Sequence, residues 1–278
     1  MSNTTTTIYG AALQTALIRR STLDFPPNTT LNEKYDIYPD ARPLEGEYPY
    51  MRYFAIGRGG HRNITGGDGE PLNQLNWHLA NHSALYNQLP FVLRPLSSDL
   101  SNEERVNYAH RKVITQNNVS YYAYYLKKMP ETESSPQLLL TTIEDGEHIT
   151  IPYTPSASDL NPTPPELDPD GDVIISNQYL STTSPLVISL STKDIEEIIN
   201  ACDIIYSNTA YAVISEISLV SGVSRNVTGD SNGSSVTYDE AMVAQCNVLQ
   251  CTGPYDLNSI NDSLDFAYEL GASEMLAI

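Results

Sequence analysis

The sequence predicts a mainly β fold, β-sandwich-like, with long loops and arms and a few short helices. Three observations carry that expectation. In Tyr211-Ala-Val-Ile-Ser-Glu-Ile-Ser-Leu-Val220, one face of an extended chain holds Tyr211, Val213, Ile217 and Leu219, and the other holds Glu216 and Ser218. That is the period of a half-buried strand. The period returns from Tyr238, with Met242, Ala244, Cys246 and Val248 opposite Asp239, Gln245 and Asn247, so the two segments read as a hairpin. Between them Ser224–Ser235, rich in Gly, Ser, Asn and Asp, reads as a long loop. Elsewhere proline and glycine punctuate the chain, and a single segment, beginning at Ser191, has a sustained helical period.

Composition narrows the classes. Of 278 residues, 40% are hydrophobic, enough for a real core and too many for a disordered chain. The 34 Asp and Glu against 15 Lys and Arg give a formal charge of -19, which opposes direct contact with a phosphate backbone. The first residues, Met1-Ser-Asn-Thr-Thr-Thr-Thr-Ile8, form neither a basic region nor a signal-length apolar run, and no segment approaches the ~20 apolar residues of a membrane span. The expectation is a soluble protein made in the cytoplasm, without membrane or nucleic-acid contact. Cys202, Cys246 and Cys251 then read as reduced, mostly buried thiols.

In chain order, Ile8 to Arg20 carries Ala11, Ala12, Leu13, Ala16 and Leu17 and reads as a short helix or an anchoring arm behind a polar Thr-rich tail. Residues 24–50 combine Pro26, Pro27, Pro39, Pro43 and Pro49 with four tyrosines, the composition of an extended arm. Met51–Ile56 is a strand running into Gly57–Gly69, which contains six of the 15 glycines and is expected to be mobile. Ser101-Asn-Glu-Glu104 starts a helix, and Val106–Tyr125 is a Tyr-rich strand. Residues 130–169 hold eight of the 18 prolines, an arm interrupted by strands at Gln137–Ile143 and His148–Tyr153. Strands follow at Val173–Ile175 and Leu186–Leu190. Ser191-Thr192 then caps a helix with Ile195, Ile198, Ile199, Cys202 and Ile205 at helical spacing. Leu264–Ile278 reads as a short helix or strand. This divides the chain into an N-terminal β-rich region with an extended arm (1–129), a Pro-rich arm or insertion (130–172), and a C-terminal β region with one helix and a long hairpin (173–278).

Candidate contact residues follow from chemistry. Arg58, His61 and Arg62 lie in the Gly-rich stretch, available to a neighbour's carboxylates. Tyr121, Tyr122, Tyr124 and Tyr125 offer rings that are apolar and hydroxyls that are not, suited to an interface. His78 and His82 would share one face of a helix, with His61 to complete a zinc site, or would serve as hydrogen-bonded surface histidines; the carboxylate of a His-Glu-x-x-His protease is missing. Asp168, Asp170 and Asp172 start a calcium-loop pattern, but Tyr179 stands where its closing Glu belongs, leaving a weak divalent site or a plain acidic turn. The glycines at 57–69 lack the Lys-Ser/Thr of a phosphate loop. With no nucleophile-and-base frame and no cofactor fingerprint, the expectation is a protein that is not an enzyme and takes no cofactor.

Three stretches add a resemblance: Ile8-Tyr9-Gly-Ala, Tyr53-Phe-Ala-Ile-Gly-Arg58 with the Gly/Asn-rich residues after it, and Ala212–Gly222, whose Ile214, Ser215, Glu216, Ile217 and Leu219 match an "isEigL" strand of phage tail and baseplate proteins. In these the chain resembles virion structural proteins of contractile-tailed bacteriophages, the baseplate wedge proteins above all. The resemblance implies a β-rich, non-enzymatic subunit that dimerises or forms a ring, assembles in the host cytoplasm into the virion, and joins neighbouring virion proteins through loops and arms. A neck or head-to-tail connector subunit shares these features. A carbohydrate-binding β module is the reading the aromatics and Asp/Asn loops would otherwise support.

Overall fold

The computed structural model describes residues 2–23, 30–65, 69–130, 135–231 and 234–277. In chain order the elements are β1 (Ser2–Thr6), α1 (Ile8–Arg19), α2 (Leu31–Tyr35), β2 (Tyr50–Gly57), β3 (His61–Thr65), β4 (Pro71–Leu75), β5 (Gln88–Leu89), β6 (Val92–Pro95), α3 (Asn102–Arg105), β7 (Tyr108–Gln116), β8 (Val119–Lys128), β9 (Gln137–Glu144), β10 (Glu147–Pro152), α4 (Ala157–Leu160), β11 (Ile175–Leu190), α5 (Thr192–Tyr206), β12 (Val213–Ser231), β13 (Ser234–Asp256) and β14 (Leu264–Ala277). The protein is mainly β with a few short helices, and its strands pair antiparallel. Contacts group the residues into two units: 1–130 with 190–264, and 131–189 with 265–278. Residues 173–278 contribute to both.

Unit 1 is built on a sheet ordered β1-β13-β12-β2-β8-β6, with β5 added on β2 and β7 on β8. Its centre is the pair β12 and β2, in which Leu219 faces Phe54 and Ile217 faces Ile56 across the ladder. Tyr53, Phe54, Ala55 and Ile56 are all buried, so β2 is covered on both faces. A run of apolar residues without alternation is what such a position needs. Phe54 meets Phe91 edge-on at 5.2 Å between ring centroids. Burying each such side chain contributes about 1.5–3 kcal/mol.

Local signals account for most of the elements. Ser191 accepts from Asp194 N while the Asp194 carboxylate accepts from Ser191 N and Oγ, a reciprocal cap that starts α5 as expected. Ser101 and Glu104 do the same for α3. Asn117 and Asn118 take φ of 51° and 60°, which closes the two-residue turn between β7 and β8. Three expectations give way. The Thr-rich N-terminus is strand β1, registered on β13 from Ser2↔Thr252 to Thr6↔Val248. The stretch 224–231, read as loop, continues β12, with Asn226 opposite Asp239 and Thr228 opposite Thr237. Gly229 has no side chain to interrupt the pairing, and Val227 and Val236 supply β-branched neighbours. Residues 61–65, expected as mobile loop, form β3, paired with β4 from His61↔Leu75 to Thr65↔Pro71. Residues 66–68 of that stretch lie outside the described residues.

Unit 2 is a sheet ordered β10-β9-β11-β14. The expected strands near 137–143 and 148–153 are its hairpin β9–β10, and the C-terminal segment is strand rather than helix. No helix among the described residues is long and apolar enough to cross a membrane.

His110 on β7 stands apart. Its φ is 59°, its side chain is fully buried, and neither ring nitrogen has a partner. Burial pushes its pKa from 6.5 down to about 3. The folded protein therefore refuses a proton that the unfolded chain accepts below about pH 6.5, so stability falls as pH drops from there towards 3. His110→Asn keeps a residue that tolerates this backbone and removes the titration. Urea denaturation at about pH 7 and pH 5 should show the wild type losing about 2 kcal/mol more than the variant; equal losses would refute the assignment.

Candidate functional site

The most elaborate polar arrangement in unit 1 is built on Glu216, the one charged residue in the apolar core of β12. By alternation it belongs to the polar face, yet it is fully buried, as are its neighbours Ser215 and Ser218. Its strand lies between β13 and β2, and the turns at 57–60 and 86–87 close over it. Oε1 accepts from Gly59 N and from Asn87 N (3.0 Å), and Oε2 accepts from Tyr86 N (2.7 Å). Ser215 Oγ accepts from Gly60 N at 3.1 Å. The glycines are required by closeness: a Cβ on Gly60 would run into the Ser215 carbonyl, and one on Gly59 into the Glu216 carboxylate.

The second half of the site is aromatic. His78 Nε2 lies 3.3 Å from Glu216 Oε2, close enough for an ion pair but poorly aligned for a hydrogen bond. His78 Nδ1 lies 3.1 Å from His82 Nδ1. Only one of these nitrogens donates, and the Leu79 N–H, 3.3 Å from His82 Nδ1, favours His82 as the acceptor. Burial, then the neighbouring His78, lowers the pKa of His82. Tyr86 stacks on His78 at 4.4 Å and meets His82 edge-on, and its hydroxyl donates to the Trp77 carbonyl. Residues 76–82 are anchored in turn on the N-terminus, where Thr5 Oγ1 donates to His78 O (3.0 Å) and Ile8 N to Ala80 O (2.7 Å). The two histidines meet through a turn, His82 N to Leu79 O, and not along a helix. Of the pair only His78 is buried, and Trp77, Leu79 and Tyr86 in the same stretch are exposed.

The candidate contact residues have varied surroundings. The Arg58 guanidinium lies 4.9 Å from the Tyr206 ring and 4.2 Å from that of Tyr211. His61 is half-buried with its Nδ1 unpartnered, and burial followed by Arg58 lowers its pKa. Arg62 is exposed and donates to Gln74 across the β3–β4 hairpin. On β8, Tyr124 is buried and its hydroxyl donates to Asp99 (2.7 Å), Tyr125 stacks on Tyr35 at 4.3 Å, and Tyr122 lies under Arg111. Tyr121 is half-buried between Ile114 and Pro95. Asp168 Oδ1 accepts from the amides of Asp170 and Asp172, closing an acidic turn. Among the described residues no group of three His, Cys, Asp or Glu is placed to hold a metal ion. The three cysteines are free and buried; burial raises Cys202 and Cys251 to about 12 and Cys246 to about 11, far from a reactive thiolate.

These features define a two-unit, mainly β protein with a buried carboxylate clasp in unit 1. Over residues 1–278 the chain belongs to DUF7208, a family of unknown function. No curated protein and no solved structure matches it.

The clasp makes a stability prediction. Glu216→Ala leaves three amides without their acceptor, at about 1–3 kcal/mol each, so a loss of roughly 3–6 kcal/mol is expected in chemical denaturation. Hydrogen exchange at Gly59, Tyr86 and Asn87 should accelerate in the same variant, and unchanged protection there would show that the clasp does not hold the turns.

Proposed function

We propose that the chain is a non-enzymatic structural subunit of a bacteriophage virion, joining neighbouring proteins in the baseplate wedge of a contractile tail. The observation that carries an assembly role is the sheet of unit 2. Leu138, Ile149, Ile151 and Met275 are 53%, 49%, 52% and 64% exposed, more apolar surface than a small sheet leaves open without a use. Placement in the virion is supported by the resembling stretches, two of which lie side by side: Phe54 to Gly57 on β2 pair with Glu216 to Leu219 on β12. The buried carboxylates in this region are committed to packing, as the Glu216 clasp is. A neck or head-to-tail connector uses the same properties.

A second reading, a carbohydrate-binding module, is favoured by the face of unit 2 opposite Leu138, Ile149 and Ile151. There a groove of about 470 Å³ is lined by Thr141, Thr150, Tyr179, Ser181, Thr183 and Glu269, hydroxyls beside an aromatic ring. Glycan-array binding that Tyr179→Ala abolishes would favour this reading over assembly.

The assembly reading predicts self-association into a dimer or ring, or co-elution with sheath, tube or portal proteins expressed beside it. Light scattering at micromolar concentration and immunodetection on purified particles test it. A strictly monomeric chain that binds none of these proteins and is missing from particles would overturn it.

A further inference from the structure

Charge is divided unevenly between the two units. Unit 2 holds 13 of the 34 acidic residues and none of the 15 Lys and Arg, although it has only 73 of the 278 residues. Its only basic side chain is His148. The register identifies a face on which this matters. Ile151, Leu140 and Leu180 lie opposite one another across β10, β9 and β11, and Leu138 and Ile149 share that face two residues along their strands. At its end, on the same face, Glu144 and Glu147 stand directly opposite each other, both exposed. Like charges so placed repel, and the unit contains no Lys or Arg to relieve them.

We propose that this face docks a partner protein through an apolar ridge flanked by Lys or Arg, with the cations answering Glu144 and Glu147. Apolar contact supplies burial at Leu138, Leu140, Ile149 and Ile151, and charge selects the partner. A second copy of the chain is a poor occupant, because it brings the same acidic face and no cation. The proposal rests on the assembly reading and names the chemistry of its partner. The two fail separately: absence from particles would sink the virion assignment and leave the docking chemistry standing.

The test uses the full chain and three fluorescent ten-residue peptides, alternating Lys-Leu, Lys-Ser and Glu-Leu. The Lys-Leu peptide is expected to bind, more weakly as salt rises, and to protect β9 and β10 from hydrogen exchange. Lys-Ser should bind about tenfold more weakly, and Glu-Leu more weakly still. In the charge-reversed variant Glu144→Lys/Glu147→Lys, at an exposed hairpin end, the preference should turn towards Glu-Leu. Ile149→Asn/Ile151→Asn should lose about tenfold for Lys-Leu while keeping the native far-ultraviolet spectrum. No binding of Lys-Leu, equal binding of Lys-Leu and Lys-Ser, or an unchanged preference after charge reversal would overturn the proposal. So would concentration-dependent self-association that protects Ile149 and Ile151 without peptide, which would make a second copy the occupant.

Discussion

Burying a carboxylate is the constraint on which the centre of unit 1 depends. An ionised side chain removed from water costs several kcal/mol unless its lone pairs are filled, and Glu216 fills them with three backbone amides drawn from two turns. Those turns have little apolar content of their own. Their order therefore comes from the acceptor beneath them. The glycines at 59 and 60 are the complement of this arrangement, since any side chain there would hold the amides away from their acceptors. A strand, a Gly-rich turn and a histidine loop, far apart in sequence, become one packed object because a single acid needs donors.

The same logic recurs around α5. Asp194 receives Tyr108 Oη (2.6 Å), Ser191 and Lys127, and although burial works against its charge, these donors hold its pKa below the usual range. Arg105 and Glu240 pair in the interior while the Tyr238 ring covers the guanidinium. Tyrosine is the usual intermediary: its ring joins the core and its hydroxyl finishes a carboxylate. Much of the Tyr-rich strand β8 is thus committed within unit 1, through Tyr124 to Asp99 and Tyr125 to Tyr35.

What could be read from the sequence was whatever depends on neighbours along the chain. The caps of α3 and α5 arise from contacts within a few residues, and the alternation of β12 and β13 and the apolar run of β2 are patterns written along the chain itself. The clasp was not legible as a site, because its donors come from residues 59, 86 and 87 and its acid from 216, a separation that periodicity does not encode. One signal pointed to it. A lone Glu inside Ile-Ser-Glu-Ile-Ser-Leu is out of place unless something pairs with it. The extension of β12 and β13 through Gly- and Asn-rich residues is hidden for a related reason, since turn-forming residues also fit a two-stranded ribbon whose register continues that of the longer pairing at its base.

The two units answer charge in different ways, and the difference is physical rather than statistical. In unit 1 the cations are spent internally: Arg225 on Glu47, Lys128 on Asp239, Arg111 on Asp99, Arg42 on Glu33. In unit 2 there is no cation to spend, so its 13 carboxylates add to a field that salt screens only beyond about 8–10 Å. Its sheet also ends in two open edges, β10 and β14, the kind of surface that pairs with copies of itself. A unit with acidic side chains and no Lys or Arg resists that pairing, because every approaching copy carries the same sign. The charge that guards the edges against self-pairing is therefore also the charge that the proposed basic partner would answer, so one sequence bias would serve both ends.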